Sequence, residues 1–223
     1  MLIFKDITKS YELWKLGSIQ ILKWINLEIK AWEFIAIVWP SGSWKSTLMN
    51  IIWMLDIPTS GEYYLSWERI DTLKDSKISD IRAKKIGFIF QNYSLLPRMS
   101  ALEQVMIPLW YQGYSNKEAK KLALEYLWKV WLSDKFKNKP SELSWWQSQR
   151  VAIARALVVN PDIILADEPT WALDSKTWEE ILNLFKEINK SWKTVIIITH
   201  DDSIAQKAGR VIKIKDGEIV DNF

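Results

Sequence analysis

Three short stretches hold residues whose types and spacing could handle phosphate. Lys45-Ser46-Thr47 follows the apolar run Glu33 to Val38 and opens a helix-like segment. A lysine can neutralise phosphate charge, a hydroxyl beside it can ligate Mg²⁺, and backbone N–H groups at a helix start favour anions. The stretch Trp39-Pro40-Ser41-Gly42-Ser43-Trp44-Lys45-Ser46-Thr47 keeps the spacing, the lysine and the hydroxyl of the phosphate-loop pattern G-x-x-x-x-G-K-[ST], and adds a middle glycine. Both defining glycines are tryptophan. Glycine is wanted there because the turn uses backbone conformations that side chains disfavour, and because the N–H groups must come close to the phosphates. In the second stretch, Ile163-Ile164-Leu165-Ala166 ends in Asp167-Glu168. A strand-end aspartate can hold Mg²⁺ beside phosphates, and the next glutamate can orient and polarise an attacking water. In the third, Val195 to Thr199 ends in His200, the only histidine. Each has a plain structural reading: core aromatics with a surface lysine, solvated acids, an ordinary polar residue. Their recurrence at the ends of apolar strands, where open α/β sheets bind ligands, favours the chemical reading.

The elements that must position these residues alternate. Strands are expected over Ile19 to Ile29, Glu33 to Val38, Lys85 to Phe90, Ile163 to Ala166 and Thr194 to Thr199. Helices are expected over Ser46 to Leu55, Ala101 to Tyr111, Lys117 to Lys129 and Gln147 to Val159. Another is expected over Lys176 to Asn189, where Ile181, Leu184, Phe185 and Ile188 fall at helical spacing. Arg210 to Lys215 and Glu218 to Val220 read as a hairpin across Asp216-Gly217. Apolar strands followed by helices indicate an α/β fold with a mainly parallel sheet covered on both faces. The helix-rich stretch from about 95 to 160 interrupts that alternation and reads as an inserted helical subdomain.

Composition removes several classes. The 223 residues fit one domain with an insert, and 48% hydrophobic with 26% charged is an ordinary globular balance. No apolar run approaches the roughly 20 residues of a membrane span. Met1-Leu2-Ile3-Phe4 running straight into Lys5-Asp6 is not a signal-peptide pattern. Without cysteine there is no disulfide framework or thiolate metal site, and one histidine cannot make a poly-His centre. A net charge of +3 does not argue for nucleic acid or a membrane surface.

The remaining motifs carry a family resemblance. Leu143-Ser144-Trp145-Trp146-Gln147, followed by Arg150-Val151-Ala152-Ile153-Ala154-Arg155-Ala156, resembles the LSGGQ signature and helix of ATP-binding cassette ATPases. Pro169-Thr170-Trp171-Ala172-Leu173-Asp174 resembles that family's D-loop, Gln91 its Q-loop glutamine and Thr199-His200-Asp201 its H-loop. Tyr11 sits where the family has an aromatic against adenine. The motifs come in the family's order and span the chain. Ser46-Thr47-Leu48-Met49-Asn50, Pro58-Thr59-Ser60-Gly61-Glu62, Ser94-Leu95-Leu96-Pro97 and Ala172-Leu173-Asp174-Ser175 are similar to one branch, the lipoprotein-releasing and macrolide-efflux type; a cell-division type is close in length and pattern.

The resemblance implies a P-loop ATPase core with a mainly parallel sheet (1–92 and 160–223), an antiparallel β part at the N-terminus, and a helical subdomain at about 93–159. It implies ATP on residues 39–47 with Tyr11 against adenine. The cofactor-binding set is Tyr11, Trp39, Pro40, Ser41, Gly42, Ser43, Trp44, Lys45, Ser46 and Thr47. Lys45 meets the β- and γ-phosphates. Ser46, Gln91 and Asp167 surround Mg²⁺. Glu168 activates water, and His200 contacts the γ-phosphate. Ser144, Trp145, Trp146, Gln147 and Asp174 serve the ATP of a second copy in a head-to-tail dimer. The partners implied are that second copy and an integral membrane permease docking near Gln91 and residues 92–140, with no nucleic acid. The location implied is cytoplasmic, peripheral on the inner face of the membrane. Cassette ATPases of translation or DNA repair usually carry two cassettes or a coiled-coil insert, and neither is seen. A scaffold without catalysis is the alternative if the tryptophans are literal. A Trp-rich single-strand binder fits poorly, because the tryptophans are not strung along a basic groove.

Those tryptophans form a pattern. The chain has 15 Trp and 7 Gly, where average usage of about 7% would give roughly 16 glycines. Positions 39, 44, 145, 146 and 171 coincide with family glycines. Trp32, Trp67, Trp131 and Trp192 lie in polar turns or just past helix ends, which are glycine sites. Three explanations stand: a codon such as UGA read as glycine in the source cell, deliberate Gly→Trp replacement, or a degenerate protein that has lost its nucleotide. Retention of Lys45, Ser46, Asp167, Glu168 and His200 weighs against the last.

Overall fold

The computed structural model describes residues 1–13, 17–39, 45–169 and 175–222. In chain order the elements are β1 (Leu2–Leu13), β2 (Gly17–Ile29), β3 (Phe34–Val38), α1 (Lys45–Ile52), β4 (Ser60–Leu65), β5 (Glu68–Arg69), α2 (Asp75–Lys85) and β6 (Ile86–Ile89). There follow α3 (Ala101–Tyr111), α4 (Asn116–Lys129), α5 (Trp145–Leu157), β7 (Ile163–Asp167), α6 (Ser175–Lys190), β8 (Thr194–Thr199), α7 (Asp202–Ala205), β9 (Arg210–Lys215) and β10 (Glu218–Asn222). The chain forms two compact units, Met1–Arg82 with Ile196–Phe223, and Ala83–Val195.

The first unit carries an antiparallel sheet in the order β2-β1-β4-β5. In the second half of β2, Ile25, Leu27 and Ile29 alternate with exposed residues, so one face packs and the other meets water. The unit also holds strands in the order β10-β9-β3-β8. β3 runs parallel to β9, with Ile35 opposite Arg210 and Val38 opposite Lys213. β8 is buried at every position, the signature of a strand covered on both faces. In the second unit β6 and β7 are parallel, Ile86 opposite Ile163 and Ile89 opposite Ala166. α5 packs on β6, and α3 and α4 pack on α5 and on each other; α3 and α4 each open with a capping box, Ser100 with Glu103 and Ser115 with Glu118.

The α/β class and the antiparallel N-terminal part agree with expectation. Boundaries moved where local chemistry decided them. The helix expected over Ser46 to Leu55 stops at Ile52, because Met54 turns left-handed at φ +57°. α5 starts two residues before Gln147, because Ser144 Oγ accepts the Gln147 N–H (3.3 Å) and caps it there. α2 has no periodic apolar face, since Ile78 alone is buried, so hydrophobic spacing gave no sign of it.

Candidate nucleotide site

The loop 40–44, and Trp171 and Asp174, lie outside the described residues. What flanks them is defined. β3 delivers the chain to Trp39, whose N–H donates to the Thr199 carbonyl at 3.4 Å. Trp39 is 2% exposed and ranks among the largest buried side chains. α1 then opens at Lys45-Ser46, anchored by buried Thr47, Leu48, Ile51 and Ile52. No acidic residue stands in its first turn, where the positive end of the helix dipole favours an anion. His200 follows β8 directly and is exposed. The next residue, Asp201, caps α7 by accepting the Ser203 N–H at 2.8 Å. The bonds from Ser203 hold the Asp201 carboxyl below its ordinary range.

Tyr11, on β1 of the same unit, has a defined anchor. Its O–H donates to Asp56 Oδ2 at 2.8 Å. Lys9 Nζ donates to Asp56 Oδ1 at 2.6 Å and to the Ile57 carbonyl at 2.8 Å. Asp56 sits just past α1, so the ring is tied to the helix that Lys45 and Ser46 open. Burial, then the neighbouring Asp56 carboxylate, pushes the Tyr11 hydroxyl up. Lys9 and Asp56 escaped sequence reading because their partnership spans 47 positions.

In the second unit the β6–β7 register releases two functional segments together. Ile89 faces Ala166, so β6 and β7 end side by side, with Gln91 two residues past the end of one and Asp167-Glu168 at the end of the other. Asp167 closes β7, half-buried. Glu168 is 4% exposed and holds φ +44°, a left-handed backbone rarely adopted by non-glycine residues. The segment after Gln91 is fastened by Arg155, whose two guanidinium nitrogens donate to the Tyr93 and Ser94 carbonyls, each at 2.7 Å. Burial pulls the Arg155 pKa down to about 10. In the sequence Arg155 reads only as part of a helix. Its partners are carbonyls, which leave no side-chain signature in the sequence.

The signature stretch is the opening of α5. Ser144 and Gln147 cap each other, since Gln147 Oε1 also accepts the Ser144 N–H at 2.9 Å. The first-turn N–H groups of α5 therefore sit beside Trp145 and Trp146. Trp145 is exposed, with its ring edge-on to Tyr93 at 6.3 Å. The Trp146 ring lies against the Arg150 guanidinium at 4.9 Å, as does Trp131 at 4.8 Å. A cavity of about 340 Å³ opens between Trp145, Tyr93, Asn92 and Leu143.

Residues 22–171 match the family model described as "ABC transporter". The chain belongs to the ABC transporter family. This ABC ATP-binding protein is 53% identical over 222 residues to the uncharacterised ABC transporter ATP-binding protein YvrO of Bacillus subtilis, covering 99% of this chain and 96% of that one. It is 49% identical to the uncharacterised MJ0796 of Methanocaldococcus jannaschii, over 98% of this chain and 95% of that one. A solved structure of MJ0796, a dimer in a post-hydrolysis state bound to ADP and Pi, superposes with a TM-score of 0.90 over 100% of this chain and 98% of that one, at 47% identity. The macrolide export ATP-binding/permease protein MacB of Mannheimia succiniciproducens is 48% identical over 206 residues, but the match covers 32% of that protein. The ABC cassette here is the ATP-binding, ATP-hydrolysing subunit of a transporter. No helix among the described residues is long and apolar enough to cross a membrane.

Proposed function

We propose that this ABC ATPase powers a lipoprotein-release or efflux type of permease, sitting peripherally on the cytoplasmic face of the membrane. The similarity to macrolide export proteins supports that branch. The observation that supports the enzymatic reading is the parallel register of β6 and β7, whose ends lie side by side just before Gln91 and at Asp167 with buried Glu168.

The roles follow from the chemistry of each group. Lys45 neutralises phosphate charge at the start of α1, and Tyr11 offers a ring face to the base. Ser46, Gln91 and Asp167 are oxygen donors only, the set that suits a hard cation such as Mg²⁺. Bound there, Mg²⁺ would spread the charge that develops on the transferring phosphoryl group. Glu168, held in a water-poor position, orients and polarises the attacking water, and His200 at the end of β8 contacts the γ-phosphate. Ser144 and Gln147 fix the start of α5, so that its N–H groups can meet the ATP of a second copy, a reading supported by the likeness to MJ0796, which was solved as a dimer. Asp174 belongs to the same interface. The cavity beside Asn92 and Tyr93 supports docking of the permease near Gln91 and residues 92–140. The ATPase core at 1–92 and 160–223, with a helical subdomain at about 93–159, is part of this reading.

Glu168→Gln tests it. Loss of general-base assistance costs about 10²–10⁴ in turnover, with ATP still bound and an ATP-dependent dimer accumulating in sedimentation. Undiminished hydrolysis in Glu168→Gln overturns the role of Glu168. Absence of hydrolysis in the parent protein with the permease present selects the scaffold reading instead.

A further inference from the structure

The molecule contains the same turn twice and the same helix cap twice, once with glycine and once with tryptophan. The β9–β10 hairpin turns through Asp216 and Gly217, at φ +51° and +81°, between paired Lys215 and Glu218. The β4–β5 hairpin turns through Ser66 and Trp67, at φ +49° and +72°, between paired Leu65 and Glu68. Two-residue turns with both central φ values positive are type I′ in this respect, and glycine is strongly preferred at the second position. An indole there is 79% exposed and gains no burial in return.

The helix ends repeat the comparison. After α3, the Gly113 N–H donates to the Trp110 carbonyl (3.0 Å) and the Tyr114 N–H to the Leu109 carbonyl (3.1 Å), with Gly113 at φ +84°. After α4, the Trp131 N–H donates to the Trp128 carbonyl (2.9 Å) and the Leu132 N–H to the Leu127 carbonyl (2.9 Å), with Trp131 at φ +58°. Both are the paired-bond cap whose left-handed residue is normally glycine. Trp192, past α6, takes the same place at φ +65°. Trp32 in the β2–β3 turn and Trp24 at an irregularity of β2 are also left-handed, at +66° and +46°. Five of the thirteen left-handed non-glycine residues among those described are therefore Trp, and all five side chains are exposed. For a bulky residue each is an outlier. Together with the shortage of glycine, the backbone treats these positions as glycine.

We infer that positions 24, 32, 67, 131 and 192, and with them 39, 44, 145 and 146, carry glycine in the cell, from a codon there decoded as glycine. UGA, read as tryptophan under some codes, is the codon class this requires. At positions 24, 32, 67, 131 and 192 the inference stands on turn and cap geometry, independently of the transport reading; positions 39, 44, 145 and 146 join it through the motifs they interrupt. Its consequence reaches the site. Glycine at 145 and 146 bares the N–H groups at the start of α5, and glycine at 39 and 44 restores the bare backbone that a phosphate loop needs.

Peptide mass analysis of the protein isolated from its source cells tests this directly at positions 67 and 131. The expected masses carry glycine at both, and UGA stands at both in the coding DNA. Tryptophan at either position, or UGG in the coding DNA, overturns it. A recombinant pair gives a separate readout. Trp67→Gly and Trp131→Gly each raise the melting temperature, although each removes a large apolar side chain. A fall in both overturns the inference.

Discussion

At Tyr11 the ring is placed by its oxygen. Asp56 accepts from the phenol at 2.8 Å and from Lys9 at 2.6 Å, so losing any member disturbs the others. Tyr11→Phe keeps the ring and loses one bond worth about 1 kcal/mol. KM for ATP is then expected to rise roughly five-fold with kcat unchanged, while affinity for inorganic triphosphate, which has no base, stays as it was. Asp56→Asn removes the charge opposite Lys9 and destabilises the fold by about 1–2 kcal/mol. The pH dependence has a definite sign. Burial raises the Asp56 pKa, but the bonds from Lys9 and Tyr11 outweigh it and leave the carboxyl below its ordinary 3.8. A depressed folded pKa contributes stability that is complete above the unfolded value and lost as pH falls through the folded one. The difference in melting temperature between parent and Asp56→Asn should therefore close as the solution is taken below about pH 4.

The elements are joined by close backbone approach as much as by side chains. Gly87, in β6, lies so near the Ala156 carbonyl of α5 that an added Cβ would collide with it. Gly87→Ala is expected to cost about 1–3 kcal/mol through forced separation of strand and helix, measured as a lower denaturation midpoint at unchanged slope. Because Gln91 leaves β6 and the signature opens α5, ATP turnover should fall with it. The elements themselves were largely legible. β3, β7 and β8 announced themselves as apolar runs, and α6 by helical spacing, since burying a face imposes periodicity. α2 gave no such sign because it buries almost nothing. The Arg155 clamp gave none because main-chain carbonyls accept it.

For the whole molecule, the five left-handed tryptophans matter most in sum. At about 1–2 kcal/mol each, and additive when far apart, they cost about 5–10 kcal/mol, comparable to the entire stability of a typical domain. A chain with glycine at 24, 32, 67, 131 and 192 is expected to melt at least 10 °C above the tryptophan form, at roughly 2–4 °C per kcal/mol for this size. Calorimetry of the two forms checks it, and an equal or lower midpoint for the glycine form would contradict it.

The sequence by itself determined the family, the order of its motifs and the identity of the chemical groups, because spacing along the chain and the period of buried residues are local properties. It also showed that tryptophan stands where glycine is wanted. Only the tertiary structure decided which strands end together, such as β6 before Gln91 and β7 before Glu168, and which residues hold the neighbouring segments, such as Asp56 on Tyr11 and Arg155 on residues 93–94. It also separated tryptophans in left-handed turns from those elsewhere. Register, φ and pairing across 47 or more positions are fixed by the packed chain, and composition carries no trace of them.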